Sequence, residues 1–464
     1  FKNYNKSLLI SNMSIELLDI QKYIQNFDIF NDNKEIFGEV HTDFSLIYKI
    51  LNLIPNKEFK NPNKKWLDPC AGRGYFMIIL YKKLFFSLRN VIKNDSDRHS
   101  HIIQNMIYMI EINPQHILNL YELFGEKANI LNDNFLFTSN QKYDFIIGNP
   151  PFNINGAIKV PTQNKTNKKG DGKMIWAQFI LHSINSLHIK GFLAFITPSI
   201  WMKNDHFMFK KITQYKLKKL HTLTNTETNK IFHGQAQTPT CYFLIQKLKI
   251  KNPTIYLFNK ASDNYIKFHP HKSIPLCGAS IFKKLQSYVE RYKSIKVIKT
   301  NMPKKHLKFS PNYNKNFPYK NIKTCHIKQL NPTLVINYSN VKSKYSYIPK
   351  LILAHKMYGF PFLDEKGEFG ISNRDNYIII NKTLKEFQIL KQFLSTKFAL
   401  YLFEATRYRM SYLEKYIFEM IPDVSEIKEF PTIINDNTIA SFFNLSPKER
   451  IIINNFHNKN YTFF

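Results

Sequence analysis

Between Thr42 and Ile245, short apolar runs alternate with stretches whose apolar residues recur at helical spacing. No other feature restricts the possible folds as much. Phe44, Ile47, Tyr48, Leu51 and Ile54 keep the rhythm of an amphipathic helix, with Thr42 expected as its N-cap and Pro55 ending it. Trp66-Leu67-Asp68 reads as a strand end, Gly72 and Gly74 as a loop, and Phe76 to Leu88 as the next helix. Arg89 to Gln104 is polar and predicts an inserted loop, and Met106 to Ile112 predicts a buried strand. Pro114 sits where a first-turn proline belongs and Gly125 where a helix ends. Tyr143 to Ile147 reads as a strand, Met174 to Leu187 as an apolar helix, Phe192 to Thr197 as a strand, and Leu220 to Leu223 and Cys241 to Ile245 as late strands. This order predicts an α/β domain with a Rossmann-like, mixed and mostly parallel sheet. Near Lys251 the alternation fades into irregular and β-like pieces. Leu390 to Phe418 predicts one or two helices, and a short tail follows Pro422. The expected organisation is therefore an extension over 1–36, an α/β domain over 37–250 and a basic α+β domain over 251–464.

Charge narrows the partners. The chain of 464 residues carries 66 Lys and Arg against 34 Asp and Glu, a formal net charge of +32. The excess is uneven: Lys251 to Lys350 holds 20 basic residues against Asp263 and Glu290 alone, a net of +18. Such a segment binds a polyanion by releasing its counterions, and the Tyr, Phe and His interleaved with it suit stacking on bases. Biased coding explains the preference for Lys but not the scarcity of acids. The best apolar run, Gly191 to Met202, is well short of the ~18 residues of a membrane span, so no membrane partner is expected. Phe1 to Ile10 shows no signal-peptide core. Cys70, Cys241, Cys277 and Cys325 lie far apart with no CxxC pair, which predicts free thiols, a reducing cytoplasmic setting and no metal site. Ile158 to Lys173, basic and polar, predicts a mobile surface segment.

Chemistry is concentrated at the predicted strand ends. Asp68-Pro69-Cys70-Ala71-Gly72-Arg73-Gly74 follows a strand and precedes a helix, and glycines there permit a tight turn and close approach to a ligand. The acid suits a ligand with a cationic amine better than a pyrophosphate. A plain βα turn is the competing explanation. Glu111 closes the next strand, where a carboxylate accepts hydrogen bonds from ribose hydroxyls. Asp133 follows the third strand, placed to accept from an adenine amino group, with Phe135 as an apolar wall. Taken singly, each carboxylate is more often a solvated strand end. Asn149-Pro150-Pro151-Phe152 is the sharpest signal. Two prolines after a buried strand make a rigid, donor-poor turn. The Asn149 side-chain carbonyl and the Pro150 main-chain carbonyl then accept both hydrogens of an exocyclic amine and aim its lone pair at an electrophile. Phe152 is placed to stack on the base.

With these residues in this order, the chain resembles the gamma-class S-adenosylmethionine-dependent amino-methyltransferases of DNA, of restriction-modification type. The resemblance implies that Val40 and Thr42, in Phe37-Gly38-Glu39-Val40-His41-Thr42, touch the methionine part of the cofactor. It implies that Asp68, Ala71 and Gly72 form the first cofactor motif, that Glu111 holds the ribose, and that Asp133 and Phe135 hold the adenine ring. Asn149, Pro150, Pro151 and Phe152 match the catalytic motif, and Gly191 to Trp201 resembles the strand that follows it. Lys230-Ile231-Phe232-His233-Gly234 and Thr238 to Phe243 resemble the segment whose aromatic residue packs on an extruded base, which points to Phe232; a core aromatic is the equal alternative. Asn134 departs from the family, which often has Phe there. The resemblance further implies adenine N6 as the acceptor, double-stranded DNA as the substrate, base flipping, and a cognate restriction endonuclease carried on a separate chain. An RNA adenine methyltransferase and a catalytically silent nucleic-acid-binding protein of the same fold remain as alternatives, and a glutamine-amide methyltransferase of proteins is a more remote one. Pro422-Asp423 and Glu426-Ile427-Lys428 have the letters of a nuclease motif, but the acids are too close together and the segment reads as a loop.

Overall fold

The computed structural model describes residues 42–138, 141–153, 174–234, 236, 238–270, 272–303, 305–328, 331–355, 360–408 and 413–455. The 1–36 extension, Val40 and the Ile158 to Lys173 segment fall outside these residues. The chain forms two compact units. The first is drawn from residues up to Ser199 together with Lys210–Tyr256, and the second from Ile200–Phe209 and Leu257 onward.

The first unit follows the alternation seen in the sequence. Helix α1 (Phe44–Leu51) is capped by Asp43, whose side chain accepts from the Ser45 N–H, and not by Thr42 as expected. Strand β1 (Trp66–Asp68) leads into α2 (Tyr75–Ser87). Gly74, at φ 81°, allows the start of α2 to pass close to the helix that spans Pro114–Phe124; a Cβ there would lie 2.8 Å from Leu120 Cδ2. Arg89 to Gln104 is not a plain loop but contains α3 (Asp95–His101). Arg98 organises this insert: it is buried, donates to the Ile92 and Lys93 carbonyls and to Asp95, and stacks 4.0 Å over the Phe85 ring. DSDRHSH has no apolar periodicity, so nothing in its pattern marked a helix.

Then follow β2 (Ile107–Glu111), α4 (Pro114–Phe124) with Gly125 at its C-cap, β3 (Asn129–Asn132) and β4 (Tyr143–Gly148). Next come α5 (Trp176–Ser186), β5 (Leu187–Pro198), α6 (Phe207–Thr213), β6 (Tyr215–Leu223), α7 (Asn225–Ile231) and β7 (Thr240–Lys249). The seven strands lie in the order β3-β2-β1-β4-β5-β7-β6. The first five run parallel, and β7 lies antiparallel to both β5 and β6. This is the expected Rossmann-like, mostly parallel sheet. Trp66 binds its layers: its ring stacks on Phe59 at 5.0 Å and on Phe145 at 3.8 Å, and Phe145 stacks in turn on Phe192.

The chain passes into the second unit through β8 (Ile255–Asn259) and β9 (Asn264–Phe268), followed by α8 (Ala279–Tyr292). Eight short strands follow: β10 (Ile298–Lys299), β11 (Phe309–Ser310), β12 (Tyr319–Lys328), β13 (Asn331–Ser339), β14 (Lys350–Ala354), β15 (Phe362–Asp364), β16 (Gly370–Ile371) and β17 (Asn376–Ile379). They form two four-stranded sheets, β10-β17-β14-β15 and β11-β13-β12-β16. Ile322 and Cys325 of one sheet and Ile352 and Ile378 of the other share a core. Beyond them are α9 (Leu384–Leu394) and α10 (Lys397–Glu404). The expected helical run to Phe418 therefore stops at Glu404. The expected tail after Pro422 instead holds α11 (Asp436–Phe442) and α12 (Pro447–Asn454). Each has a capping box, Asn435 with Thr438 and Ser446 with Glu449. Ile200–Phe209 belongs to this unit although it continues directly from β5. The Ile274 N–H donates to the Met202 carbonyl, the Asn204 N–H donates to Ser273 Oγ, and Lys203 pairs with Glu414.

Candidate functional site

The parallel strands β3, β2, β1 and β4 are neighbours and point their C-terminal ends the same way: Glu111 pairs with Asn132, and Asp68 pairs with Met109, two residues before Glu111. Such a crevice, outside the carboxyl ends of parallel strands, is where open α/β sheets bind ligands. Here it is a pocket of about 480 Å³. Thr42, Asp68, Ala71, Gly72, Glu111, Asp133 and Phe135 line it, together with the whole of Asn149 to Phe152. Residues separated by more than a hundred positions in sequence thus meet around one cavity.

Backbone amides hold the carboxylates in place. Glu111 Oε2 accepts from the Gly72 N–H at 2.7 Å, and Oε1 accepts from Ile112 and Asn113 at 2.9 and 2.8 Å. The acid closing β2 therefore fixes the glycine loop after β1. Burial raises the Glu111 carboxyl above its ordinary value, against these three donors. Asp68 is 1% exposed. Burial pushes its carboxyl up to about 7; the Cys70 N–H, 3.1 Å from Oδ1, opposes the shift and the nearby Glu111 charge adds to it. The Cys70 thiol is driven well above its usual range by burial and by both carboxylates, so it is no nucleophile at neutral pH. Asp133 is exposed, and its Oδ1 accepts from the Asn134 N–H at 2.7 Å. Phe135 is buried edge-on against His182 at 4.6 Å.

The turn after β4 depends on Gly148. Its φ is 150°, and a Cβ there would stand 2.8 Å from Asp68 Oδ1. Gly148→Ala is expected to lower unfolding stability by about 2 kcal/mol or more, because the added methyl meets a buried carboxylate rather than a flexible chain end. Urea denaturation measures this, and unchanged stability would contradict the tight fit. Beyond Gly148, the Asn149 Nδ2 donates to Thr42 Oγ1 at 3.0 Å. The Phe152 carbonyl accepts from the Ile175 N–H, and Asn153 pairs with Met174.

One predicted site residue is not described and another is not part of the pocket lining. Val40 lies outside the described residues. Phe232 is 1% exposed at the C-cap of α7, where its N–H donates to the Thr228 carbonyl. In this conformation it is a core aromatic, with no ring face turned to the cavity. The lining also includes residues that sequence reasoning passed over: Ile112, His116, Phe137 and Phe179. Ile112 directly follows Glu111 and Phe137 lies four residues after Asp133, a proximity legible in the sequence, whereas their exposure is set by the fold. Among the described residues, no group of three or more His, Cys, Asp or Glu is arranged to hold a metal ion.

Residues 10–232 match the Eco57I restriction-modification methylase family. The matched segment contains the glycine loop, all three carboxylates and the Asn149 to Phe152 turn. No curated protein matches the chain in sequence. Similar solved structures include a modification subunit of a putative type I restriction enzyme from Vibrio vulnificus, at 14% identity and TM-score 0.37 over 59% of this chain and 57% of that one. A putative class I S-adenosylmethionine-dependent methyltransferase from Listeria monocytogenes aligns at 16% identity and TM-score 0.36, over 55% of this chain and 74% of that one. The type IIL restriction-modification enzyme MmeI, in complex with DNA, aligns at 12% identity and TM-score 0.45, over 84% of this chain and 69% of that one. The chain thus spans a little over half of the Vibrio subunit.

In the second unit, basic and aromatic side chains lie together on the strands and loops of the β12 sheet. Lys320 stands 4.5 Å from the Phe369 ring, Lys342 4.1 Å from Tyr347 and Lys344 4.9 Å from Tyr345. Part of the positive charge counted in sequence is committed internally, however. Lys350 is fully buried against Asp364 at 2.5 Å, and Lys284 pairs with Glu449. Among the described residues, no helix is long and apolar enough to cross a membrane.

Proposed function

We propose that this protein transfers the methyl group of S-adenosylmethionine to the N6 amine of an adenine flipped out of duplex DNA, as the modification activity of a restriction-modification system. The observation that carries the reading is the single pocket in which a glycine loop and three carboxylates adjoin the Asn149 to Phe152 turn.

The donor set suits the cofactor. Three carboxylates around a glycine loop repel a pyrophosphate and favour a cationic ligand with hydroxyl and amine donors. Asp68 would face the amino-acid amine, the free capacity of Glu111 Oε2 a ribose hydroxyl, and Asp133 the adenine amine, with Ile112, Phe135 and Phe137 as apolar walls. When bound, S-adenosylmethionine supplies an electrophilic methyl on a sulfonium. The chain's own work is positional. Asn149 Oδ1 and the Pro150 carbonyl would accept the two amine hydrogens and aim the nitrogen lone pair. Pro150 and Pro151 bring no competing N–H to that turn. Phe152, half-buried at the pocket, would stack on the extruded base and offset part of the unstacking cost of a few kcal/mol. The +18 segment supports duplex DNA as substrate by giving phosphates a counter-charge. The Eco57I-type match supports a modification role.

Nucleoside mass analysis tests this. The protein is incubated with S-adenosylmethionine and unmethylated duplex DNA, and the digest is searched for N6-methyladenine. A clear peak is expected. Methylated nucleosides from RNA alone, or none from any nucleic acid, would overturn the reading.

A further inference from the structure

We infer that Thr42 is a positioning residue for Asn149, engaging the NH2 end of its amide and so holding the side chain where the carbonyl oxygen can meet the target amine. The inference rests on the methyltransferase reading. It departs from the role in cofactor contact that the family resemblance implies for Thr42.

An asparagine amide has one acceptor end and one donor end of nearly the same shape, and little in its own geometry chooses between them. For an amine acceptor the choice decides the reaction. The oxygen draws the amine hydrogens and directs the lone pair outward, whereas an inverted amide sets N–H against N–H. The amide must therefore be held by a contact at its NH2 end. In this structure Asn149 Nδ2 donates to Thr42 Oγ1 at 3.0 Å, across 107 residues of sequence. Thr42 is itself 7% exposed and Asn149 is half-buried. Both residues line the pocket. Thr42 precedes α1, whose N-cap is Asp43 and whose Phe44, Ile47, Ile50 and Leu51 are buried, so the hydroxyl is carried on a packed element. The main chain of Asn149 is anchored as well, through its hydrogen bond to the Cys70 sulfur. The threonine adds a second anchor, on the side chain.

The test compares Thr42→Val, which keeps the shape and removes the acceptor, with Thr42→Ser, which keeps the acceptor. Methyl transfer to duplex DNA is measured at saturating S-adenosylmethionine, and the affinity for S-adenosylmethionine is measured separately by calorimetry. Thr42→Val is expected to lower kcat about 30-fold, the size of one lost buried hydrogen bond, with cofactor affinity within about twofold. Thr42→Ser is expected to restore kcat to within about threefold of the original. In an Asn149→Ser background, which has no amide for Thr42 to hold, adding Thr42→Val is expected to slow transfer by less than about twofold. An unchanged kcat in Thr42→Val overturns the proposal. So does a loss confined to cofactor affinity, which would assign Thr42 to the cofactor. An original protein that methylates no nucleic acid would instead defeat the functional reading, and the two failures are thereby distinguished.

Discussion

Replacing Asn149 with alanine is expected to slow methyl transfer about a thousandfold while S-adenosylmethionine and DNA affinities stay within about threefold. Asn149 supplies one of the two acceptors proposed for the target amine. That interaction strengthens as the nitrogen acquires positive character during attack, so its loss falls on the transition state, where a preorganised polar contact is worth about 10²–10³ in rate. Binding is spared because the cofactor carboxylates and the basic second unit are untouched. The amide is also only partly buried, and its partner Thr42 reaches it from an independently packed helix start. Single-turnover transfer with radiolabelled S-adenosylmethionine measures the rate, and filter binding with calorimetry measures the affinities. Equal rates for the variant and the original protein would remove Asn149 from the chemistry. A parallel collapse of cofactor binding would give it a structural role instead.

The second large effect is a pair of opposite changes from Asp68→Asn. Burial raises the Asp68 carboxyl from its ordinary 3.8 to about 7 in the folded protein. A raised carboxyl pKa means that the folded state holds a proton the unfolded chain has released. The corresponding stability is full below about pH 4 and is lost as pH rises through about 7, up to about 4 kcal/mol by pH 8. Asparagine keeps the shape and the acceptor for the Cys70 N–H but has no charge to bury. At pH 8 the unliganded variant is therefore expected to be more stable than the original protein, with the difference shrinking as pH falls towards 4. The same change removes the anion proposed to hold the ligand's amine, so S-adenosylmethionine affinity is expected to drop by about 30-fold or more. In the original protein, affinity is expected to weaken about tenfold between pH 8 and pH 6, as Asp68 takes up its proton. Thermal unfolding across pH and calorimetric titration read the two effects. A variant that is less stable at pH 8 yet binds like the original protein would refute both the burial argument and the assigned contact.

Local pattern and tertiary structure contributed differently to the fold and the site. Strand β1 lies where Trp66-Leu67-Asp68 placed it, and α4 begins at Pro114 and ends before Gly125, because strand alternation and helix punctuation are local physics. Asp68, Glu111, Asp133 and Asn149 were legible as strand-end residues for the same reason. Their convergence on one pocket follows from the strand order β3-β2-β1-β4. Elements held by long-range contacts were not legible. Helix α3 exists around the buried Arg98, and its own residues have no apolar stripe. Ile200–Phe209 continues β5 in sequence, but its hydrogen bonds to residues beyond 270 place it in the second unit. Lys350 counts as surface charge in sequence and is a buried partner of Asp364 in the fold.

The sequence by itself determined the α/β order, the carboxylate and proline chemistry at the strand ends and the concentration of positive charge, all of which are set by neighbours within a few residues. Only the tertiary structure decided which acid pins the glycine loop, that Asp68 is buried enough to titrate near neutrality, that Phe232 faces the core, and that Thr42 meets Asn149. Burial and hydrogen-bond partners arise from contacts across tens to hundreds of residues, and no local pattern encodes them.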